Sequence, residues 1–262
     1  TSWQRNQAYP RLGFDTFKCA EDMNVALTKE HGYISDASSF NQIIYEFEHK
    51  APDEKLFVFN VTIQNHGSYT VEDYPATVQL ADMPGKYPMA EQYLTLANKT
   101  DEAFKLLVDY FENQDEPTII VMFGDHQPSV EDTFYEALYG CSLEEAAGED
   151  YLRRYITPFL VWTNYGTESM LEENLSAMFL SCTILERANL EITDFISFLR
   201  FLYRQCPVVH ILGYYTSDMV WESWSHWEEK KEYPLFHWFD MLQYHNMFER
   251  NRITSLFQVS DG

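Results

Sequence analysis

Short runs of apolar residues alternate along this chain with longer segments in which apolar residues recur every three or four positions. Residues 55–63, 117–123 and 157–163 are short runs rich in β-branched and aromatic residues. Runs of this length, without polar alternation, are typical of strands that are buried on both faces. The pattern therefore predicts three buried strands.

Two amphipathic helices are predicted on either side of the first apolar run. The earlier helix covers about 36–49, because Ser35 can cap its N-terminus and apolar side chains repeat on one face behind it. The later helix covers about 93–111, with charged residues between the apolar positions. Strands that alternate with helices of this length predict an α/β domain with a largely parallel sheet, whose ligands gather at the carboxyl ends of the strands.

The pattern changes after Gly166, where helical periodicity replaces the short apolar runs. Helices are predicted within 175–203 and within 235–250, and the segment from residue 207 onward is rich in tryptophan. We therefore divide the chain into an α/β domain, 1–190, and a helical extension, 191–262, that packs on it. The tryptophans of the extension are interpreted as packing residues, because Trp side chains are usually buried.

The charge of the chain is strongly negative, since 41 Asp and Glu residues against 18 Lys and Arg residues give a formal net charge of -23. Such a field repels polyanions, which excludes nucleic acid as a partner. The same field repels an anionic lipid surface and an anionic substrate. A phosphate-binding site in this chain therefore requires a bound cation to offset its surroundings.

Polar side chains follow two of the predicted strands at the points where they end. The second apolar run is followed by Gly124, Asp125 and His126, and the first leads into His66 within a turn that contains glycine. Glycine lets the backbone approach a ligand closely, and a carboxylate beside an imidazole offers two ligands for a metal ion. Because the carboxyl ends of parallel strands share one edge of a sheet, we expect these side chains in one crevice.

These residues resemble the motifs of a known superfamily. Gly124-Asp125-His126 after an apolar strand, preceded by Asn65-His66, is similar to the sulfatase and alkaline phosphatase superfamily. The segments Trp3-Gln4-Arg5 and Gly13-Phe14-Asp15 resemble its lipoteichoic acid synthase branch, which consists of phosphoglycerol transferases. The resemblance implies a three-layer α/β/α fold with a largely parallel central sheet, incomplete at the N-terminus. Residues 1–190 would be the C-terminal part of the catalytic domain.

The resemblance also implies roles for individual residues. Asp125 and His126 correspond to ligands of a divalent cation, Mn²⁺ or Mg²⁺. His66, Trp3 and Arg5 correspond to residues that contact the phosphate and glycerol of the substrate. Arg5 can clamp a phosphate through two hydrogen bonds, and Trp3 would wall the glycerol pocket. His66 can donate to a phosphate oxygen or protonate a leaving alkoxide, which makes it the catalytic candidate.

For the complete protein, the resemblance implies the transfer of glycerol phosphate from phosphatidylglycerol to a lipoteichoic acid-type polymer at the extracellular face of a bacterial membrane. In this family, a threonine nucleophile and a further acidic metal ligand precede the region that this chain resembles. The helices that anchor the enzyme in the membrane precede it too. The chain of 262 residues is therefore interpreted as a fragment, and by itself it is predicted to be inactive.

Two alternative functions remain open. The first is a sulfatase or phosphatase hydrolase of the same superfamily. The Cys-x-Pro-x-Arg segment typical of sulfatases is absent, since Cys206 is followed directly by Pro207, but that segment would also precede the region compared. The second is a truncated domain that binds a partner without turnover. The four cysteines are widely spaced and predict neither a zinc site nor a disulfide framework.

Overall fold

The computed structural model describes residues 4–70, 72, 74–171 and 174–259. The chain divides into two compact units, Thr1–Leu160 and Val161–Gly262. This division falls earlier in the chain than the boundary that we predict after residue 190. Each unit has a hydrophobic core of its own.

The first unit mixes helices with short strands. Its helices are α1 (Arg5–Arg11), α2 (Asp36–His49), α3 (Pro88–Glu112), α4 (Asp132–Tyr139) and α5 (Glu149–Leu152). Its strands are β1 (Lys29–Glu30), β2 (Tyr33–Ile34), β3 (Ile119–Phe123) and the start of β4 (Phe159–Thr163). β1 and β2 form an antiparallel hairpin, and β3 pairs with β4. Strands are therefore present at the predicted positions 117–123 and 157–163, but their residues are half-buried or exposed, so the predicted burial on both faces is not observed.

The helices α2 and α3 confirm both helix predictions for this part of the chain. Ser35 caps α2, because its hydroxyl oxygen accepts a hydrogen bond of 3.1 Å from the backbone nitrogen of Ser38. The two helices pack through aromatic side chains, with the ring of Phe47 5.1 Å from that of Phe111 in an edge-to-face arrangement. Leu96 on α3 is completely buried, as the apolar spacing of this helix predicts.

One hydrophobic cluster anchors the loops that follow the predicted strands. Its buried members come from the loop after residue 63, from the start of α3 and from the segment after β3: Tyr69, Tyr87, Ala90, Leu96, Val130 and Tyr135. Tyr69 and Val130 therefore tie two loops that are distant in sequence to the same helix. This arrangement positions the candidate site.

Residues 55–63 differ from their prediction. They are extended, but they pair with no strand among the described residues. Their apolar side chains are exposed, with Phe57 at 77% and Phe59 at 46%, so the prediction of a buried strand was wrong. A buried strand needs neighbours that take its backbone hydrogen bonds and cover its side chains. The ring of Phe14, 5.8 Å from that of Phe57, covers only part of this run.

The second unit contains a small sheet as well as helices. Its helices are α6 (Leu180–Arg187), α7 (Asp194–Gln205) and α8 (Tyr233–Phe248), and its strands are β5 (Val208–His210), β6 (Gly213–Tyr215) and β7 (Trp221–Ser223). The strands form one antiparallel sheet in the order β5-β6-β7. The extension is therefore not purely helical. Strands of three residues are too short to produce a recognisable alternation of apolar and polar positions.

The four tryptophans of the predicted extension, Trp221, Trp224, Trp227 and Trp238, differ in how far other residues cover them. Trp224 and Trp227 pack against the core, with their rings 4.8 Å apart and nearly perpendicular. Trp221 lies 5.1 Å from the ring of Tyr215. Trp238 on α8 is 53% exposed, so the interpretation of the tryptophans as packing residues is wrong for this one.

The structure also bears on membrane-spanning helices and on the four cysteines. None of the helices among the described residues combines the length and apolar content needed to cross a bilayer. The four cysteines are all unpaired, and Cys182 and Cys206 are buried. Burial raises the pKa of the Cys206 thiol to about 12, so this side chain behaves as a small apolar core residue.

Candidate functional site

The loop after β3 is held against the entrance to β4. The backbone nitrogen of Gly124 donates to the carbonyl oxygen of Pro158 at 3.1 Å, and the hydroxyl of Thr157 donates to the carbonyl oxygen of Gly124 at 2.9 Å. A Cβ atom at position 124 would lie 3.1 Å from the Cβ of Thr157, which is why glycine suits this position. The next two residues therefore leave the strand from an anchored turn.

Asp125 and His126 both project into solvent, with side chains 85% and 71% exposed. The backbone nitrogen of His126 donates to Asp125 Oδ1 at 3.0 Å, so the carboxylate keeps Oδ2 free. His126 Nδ1 lies 2.8 Å from the carbonyl oxygen of Gln127. Because a carbonyl oxygen can only accept, Nδ1 donates in this contact, and Nε2 is the ring nitrogen that faces away from it.

The two free donor atoms point to a shared ligand. His126 Nε2 lies 3.6 Å from Asp125 Oδ2, and a ring held by a backbone carbonyl at Nδ1 is the usual arrangement of a metal-binding histidine. A carboxylate oxygen and an imidazole nitrogen together suit Mn²⁺ or Mg²⁺. Among the described residues, no group of three or more His, Cys, Asp or Glu side chains could hold a metal ion. The role of Asp125 and His126 as metal ligands stays a prediction.

His66 lies in a second loop with a similar local geometry. Its backbone nitrogen donates to the carbonyl oxygen of Ile63 at 3.0 Å, and its Nδ1 lies 2.8 Å from the carbonyl oxygen of Gly67. The imidazole is exposed, so Nε2 is free to act on a ligand. Tyr33 on β2 contacts the edge of this ring at a centroid distance of 5.8 Å, and its hydroxyl donates to the same Gly67 oxygen at 3.4 Å.

The two loops meet around Tyr69. The hydroxyl of Tyr69 donates to the carbonyl oxygen of Asn65, the residue before His66, at 2.6 Å. The pKa of Tyr69 is raised to about 12, chiefly by burial, with smaller contributions from Tyr93, from Tyr135 and from the negative charge of Asp125. Asp125 therefore lies within electrostatic range of the hydroxyl that anchors the loop of His66. Tyr69 of the His66 loop and Val130 of the segment after β3 belong to one hydrophobic cluster, so both segments pack against the start of α3.

Arg5, one of the predicted substrate-binding residues, has no polar contact with the other candidate site residues that the structure describes. Arg5 opens α1 and is half-buried. Among the described residues, its guanidinium makes no hydrogen bond or ion pair with His66, Asp125 or His126. Trp3 lies outside the described residues. The roles of these two residues in substrate binding stay predictions.

Tyr33 and Tyr69 are site residues for which the sequence offers no functional signal. Tyr33 lies in the two-residue strand β2, which is distant in sequence from the His66 loop that it contacts. Tyr69 follows His66 closely, but a tyrosine after a glycine-containing turn is equally compatible with a solvated loop. Both are recognised only through their contacts in the folded chain.

Comparisons with known proteins match this arrangement to one family. A family model described as Sulfatase matches residues 1–190. Two curated proteins of Rhizobium meliloti (strain 1021) are similar in sequence. A "Putative cyclic beta-1,2-glucan modification protein" is 30% identical over 209 residues, covering 77% of this chain and 32% of that protein. The capsular polysaccharide biosynthesis protein RkpI is 28% identical over 128 residues, covering 49% of this chain and 22% of that protein.

A solved structure shares the fold. The Streptococcus pyogenes phosphoglycerol transferase GacH, determined in complex with sn-glycerol-1-phosphate, superposes with a TM-score of 0.71 over 98% of this chain and 62% of the GacH chain, at 15% identity. The predicted sulfatase-like α/β fold with an aromatic-rich extension is thereby confirmed. The chain spans 32% and 22% of the length of the two curated relatives.

Proposed function

We propose that this chain, which belongs to the sulfatase family, is the C-terminal part of a metal-dependent phosphoglycerol transferase. The reaction would move glycerol phosphate from phosphatidylglycerol to a hydroxyl group of an acceptor, at the outer face of a bacterial membrane. The observation that carries the proposal is the Asp125–His126 pair at the end of β3, in which Asp125 Oδ2 and His126 Nε2 lie 3.6 Å apart on exposed side chains. The fold shared with a phosphoglycerol transferase supports it.

The metal would be held by Asp125 and His126 together with ligands from outside this chain. A bound Mn²⁺ or Mg²⁺ supplies Lewis acidity and offsets the charge of the phosphoryl group. Within the chain, the hydrogen bond to the Gln127 carbonyl keeps the proton of His126 on Nδ1 and leaves Nε2 available. The cation would also overcome the repulsion between the phosphate and a chain of net charge -23.

His66 would act as the general acid that protonates the leaving group. Transfer breaks the bond between phosphorus and the diacylglycerol oxygen, and that oxygen must gain a proton to leave as diacylglycerol. The new phosphorus–oxygen bond forms to a hydroxyl nucleophile, a threonine in this family, which we expect from outside the chain and which loses its proton as it attacks. In a second step the acceptor hydroxyl would displace the threonine from phosphorus, and the proton of that hydroxyl would return to the threonine. Since Nδ1 of His66 is held by Gly67, the protonated ring presents its second N–H from Nε2. Arg5 and Trp3 would bind the phosphate and the glycerol.

The acceptor belongs to one of two chemical classes. A lipoteichoic acid-type glycerol phosphate polymer is the acceptor that the sequence resemblance implies. The names of the two Rhizobium relatives refer instead to the modification of a cyclic glucan and to capsular polysaccharide, which favours a glycan hydroxyl. Both acceptors use the same donor and the same bond changes. They differ only in the molecule whose hydroxyl group accepts the glycerol phosphate.

The test uses the complete protein with phosphatidylglycerol labelled in its glycerol headgroup. We expect diacylglycerol release that depends on Mn²⁺ or Mg²⁺, with label recovered in a polyglycerol phosphate or in a glucan. Asp125→Ala and His66→Gln should each lower the rate by about 100-fold or more, whereas Asp132→Asn, which changes an exposed carboxylate on α4, should not. Cleavage of an aryl sulfate or a phosphate monoester without transfer would favour a hydrolase and overturn the proposal.

If the nucleophile and the remaining metal ligands come from outside this chain, as the family resemblance implies, the chain by itself would lack turnover. This is the sense in which a noncatalytic binding domain remains an alternative. Mn²⁺ and a phosphodiester reporter added to the 262-residue chain should give no measurable hydrolysis. Turnover that disappears in Asp125→Ala would show that the chain is catalytically sufficient.

A further inference from the structure

A network of buried polar side chains lies beneath the loop of His66. Asp36 in the first turn of α2 is 1% exposed, Gln64 in the loop is 1% exposed, and Thr100 in the middle of α3 is 5% exposed. Buried polar groups of this kind destabilise a fold unless hydrogen bonds satisfy them. The network therefore has to be geometrically specific.

Thr100 is the centre of the network. Its hydroxyl donates to Asp36 Oδ2 at 2.6 Å, a shorter contact than the 3.2 Å to the Leu96 carbonyl oxygen on its own helix. The same oxygen accepts from Asn65 Nδ2 at 2.9 Å and from Gln64 Nε2 at 3.2 Å. A hydroxyl has one proton and two lone pairs, so this hydroxyl is fully used.

The network closes on itself through α2. The backbone nitrogen of Asp36 donates to Gln64 Oε1 at 3.0 Å, so Gln64 is held by both of its amide atoms. Helix α2, helix α3 and the loop thus share one set of hydrogen bonds. Its last members in the loop, Gln64 and Asn65, are the two residues immediately before His66.

We propose that Asp36 and Thr100 are positioning residues that set the direction of the His66 imidazole. The proposal rests on the proposed role of His66 in phosphoglycerol transfer. Thr100 holds the Asn65 side chain from below, and the Tyr69 hydroxyl holds the Asn65 carbonyl oxygen at 2.6 Å. His66 follows directly and is fixed to Ile63 through its backbone nitrogen. The peptide that carries the imidazole is therefore constrained on both sides.

Thr100→Val tests the proposal, because valine keeps the shape of threonine and removes the hydroxyl. Thr100→Ser keeps the hydroxyl and serves as the rescue variant. Thr95→Val is the matched control: Thr95 is also on α3 and 2% exposed, but its hydroxyl oxygen accepts from the backbone nitrogens of Thr77 and Val78, each at 3.0 Å. All three variants change a buried threonine of the same helix.

The first readout is the imidazole of His66 in the 262-residue chain, followed by ¹H–¹⁵N NMR and assigned with His66→Gln. Thr100→Val should shift the ring signals of His66, and Thr100→Ser should return them towards those of the unsubstituted chain. Thr95→Val should leave them unchanged. If Thr100→Val does not fold, Asp36→Ala, which removes the oxygen that accepts from the Thr100 hydroxyl, gives the test from the other end of the network. His66 signals that are equal in Thr100→Val and Thr95→Val would overturn the proposal.

The second readout is the activity of the complete protein. Thr100→Val should lower kcat by about 10- to 100-fold with little change in KM, because misplacement of a catalytic group by about 1 Å has an effect of this size. Thr95→Val should stay within about twofold of the unsubstituted enzyme. The NMR experiment needs no turnover, so a failure of the proposed function leaves the positioning of His66 separately testable.

Discussion

The hydroxyl of Tyr69 donates a hydrogen bond of 2.6 Å to the carbonyl oxygen of Asn65. Tyr69 itself is 4% exposed and belongs to the core cluster built on α3. The bond therefore connects the hydrophobic core of the first unit to the residue that precedes His66. Val130, which follows β3 and the Asp125–His126 pair, is buried in the same cluster, so the core that supports the His66 loop also holds the segment after β3.

Tyr69→Phe should destabilise the chain by about 1–3 kcal/mol, because it leaves the Asn65 carbonyl without its partner while preserving the packing of the ring. Urea denaturation measures the change in the free energy of unfolding. Tyr69→Ala removes the ring as well and should destabilise the chain by about 3–5 kcal/mol. Equal stabilities for Tyr69→Phe and the unsubstituted chain would mean that this hydrogen bond contributes nothing.

Binding of Mn²⁺ to this chain should be weak. A hard divalent cation takes about six ligands, and Asp125 and His126 supply two, so we expect a Kd of about 10⁻³ M or weaker. Electron paramagnetic resonance of free Mn²⁺ measures it directly. Asp125→Asn should reduce binding further, and Asp132→Asn, the exposed control on α4, should not. Micromolar affinity, or binding that survives both Asp125→Asn and His126→Ala, would place the site elsewhere.

The stability of the chain should depend on pH through Asp36. Burial raises the pKa of this carboxyl, and the hydrogen bond from Thr100 opposes part of the shift. The folded chain therefore holds this proton more tightly than the unfolded chain. The contribution of Asp36 to stability is highest below the ordinary pKa of an Asp, about 3.9, and falls as pH rises through the raised value.

Asp36→Asn removes this titration. The free energy of unfolding of the variant, relative to the unsubstituted chain, should increase as the pH rises above about 4 and level off above the raised pKa of Asp36. Urea denaturation at several pH values gives the slope, and Asp132→Asn on α4 provides the exposed comparison. Parallel profiles for Asp36→Asn and the unsubstituted chain would contradict the raised pKa.

The exposed run 55–63 should promote self-association. Extended apolar segments with unpaired backbone groups favour strand pairing between molecules. Phe57, which is 77% exposed, is the most direct position to test. Phe57→Lys should lower the weight-average mass at high protein concentration in analytical ultracentrifugation. Leu171→Lys, at a 92% exposed position of the second unit, should have a smaller effect, and equal effects would show that exposure alone governs association.

Local patterns in the sequence were sufficient for the long helices and for β3. α2 and α3 bury one face each, so their apolar spacing is set by the helix period and is readable without knowledge of the partner. The Gly124-Asp125-His126 motif is also local, because the glycine, carboxylate and imidazole are adjacent in the chain. The sulfatase-like fold followed from such motifs, and the family match supports it.

Whether residues 55–63 form a strand, and which tryptophans are buried, depended on tertiary structure. The apolar run 55–63 has the composition of a buried strand, but strand formation requires hydrogen-bonding neighbours that the run itself does not encode. Trp224 is covered by the core and Trp238 is not, although the residue type is the same. Whether a tryptophan is buried depends on which other residues pack against its side chain.

The sequence by itself determined which residues could do chemistry: Asp125, His126 and His66 were recognisable from their types and their places after apolar runs. Only the tertiary structure decided how they are held. The contacts of Tyr33 with His66, of Tyr69 with Asn65 and of Thr100 with Asp36 join segments that are 4 to 64 positions apart. The contact of Thr100 with Asp36 arises from the packing of α3 against α2, and those of Tyr33 and Tyr69 depend on the path of the loop around His66. No local pattern specifies either, so these supporting residues became visible only in the folded chain.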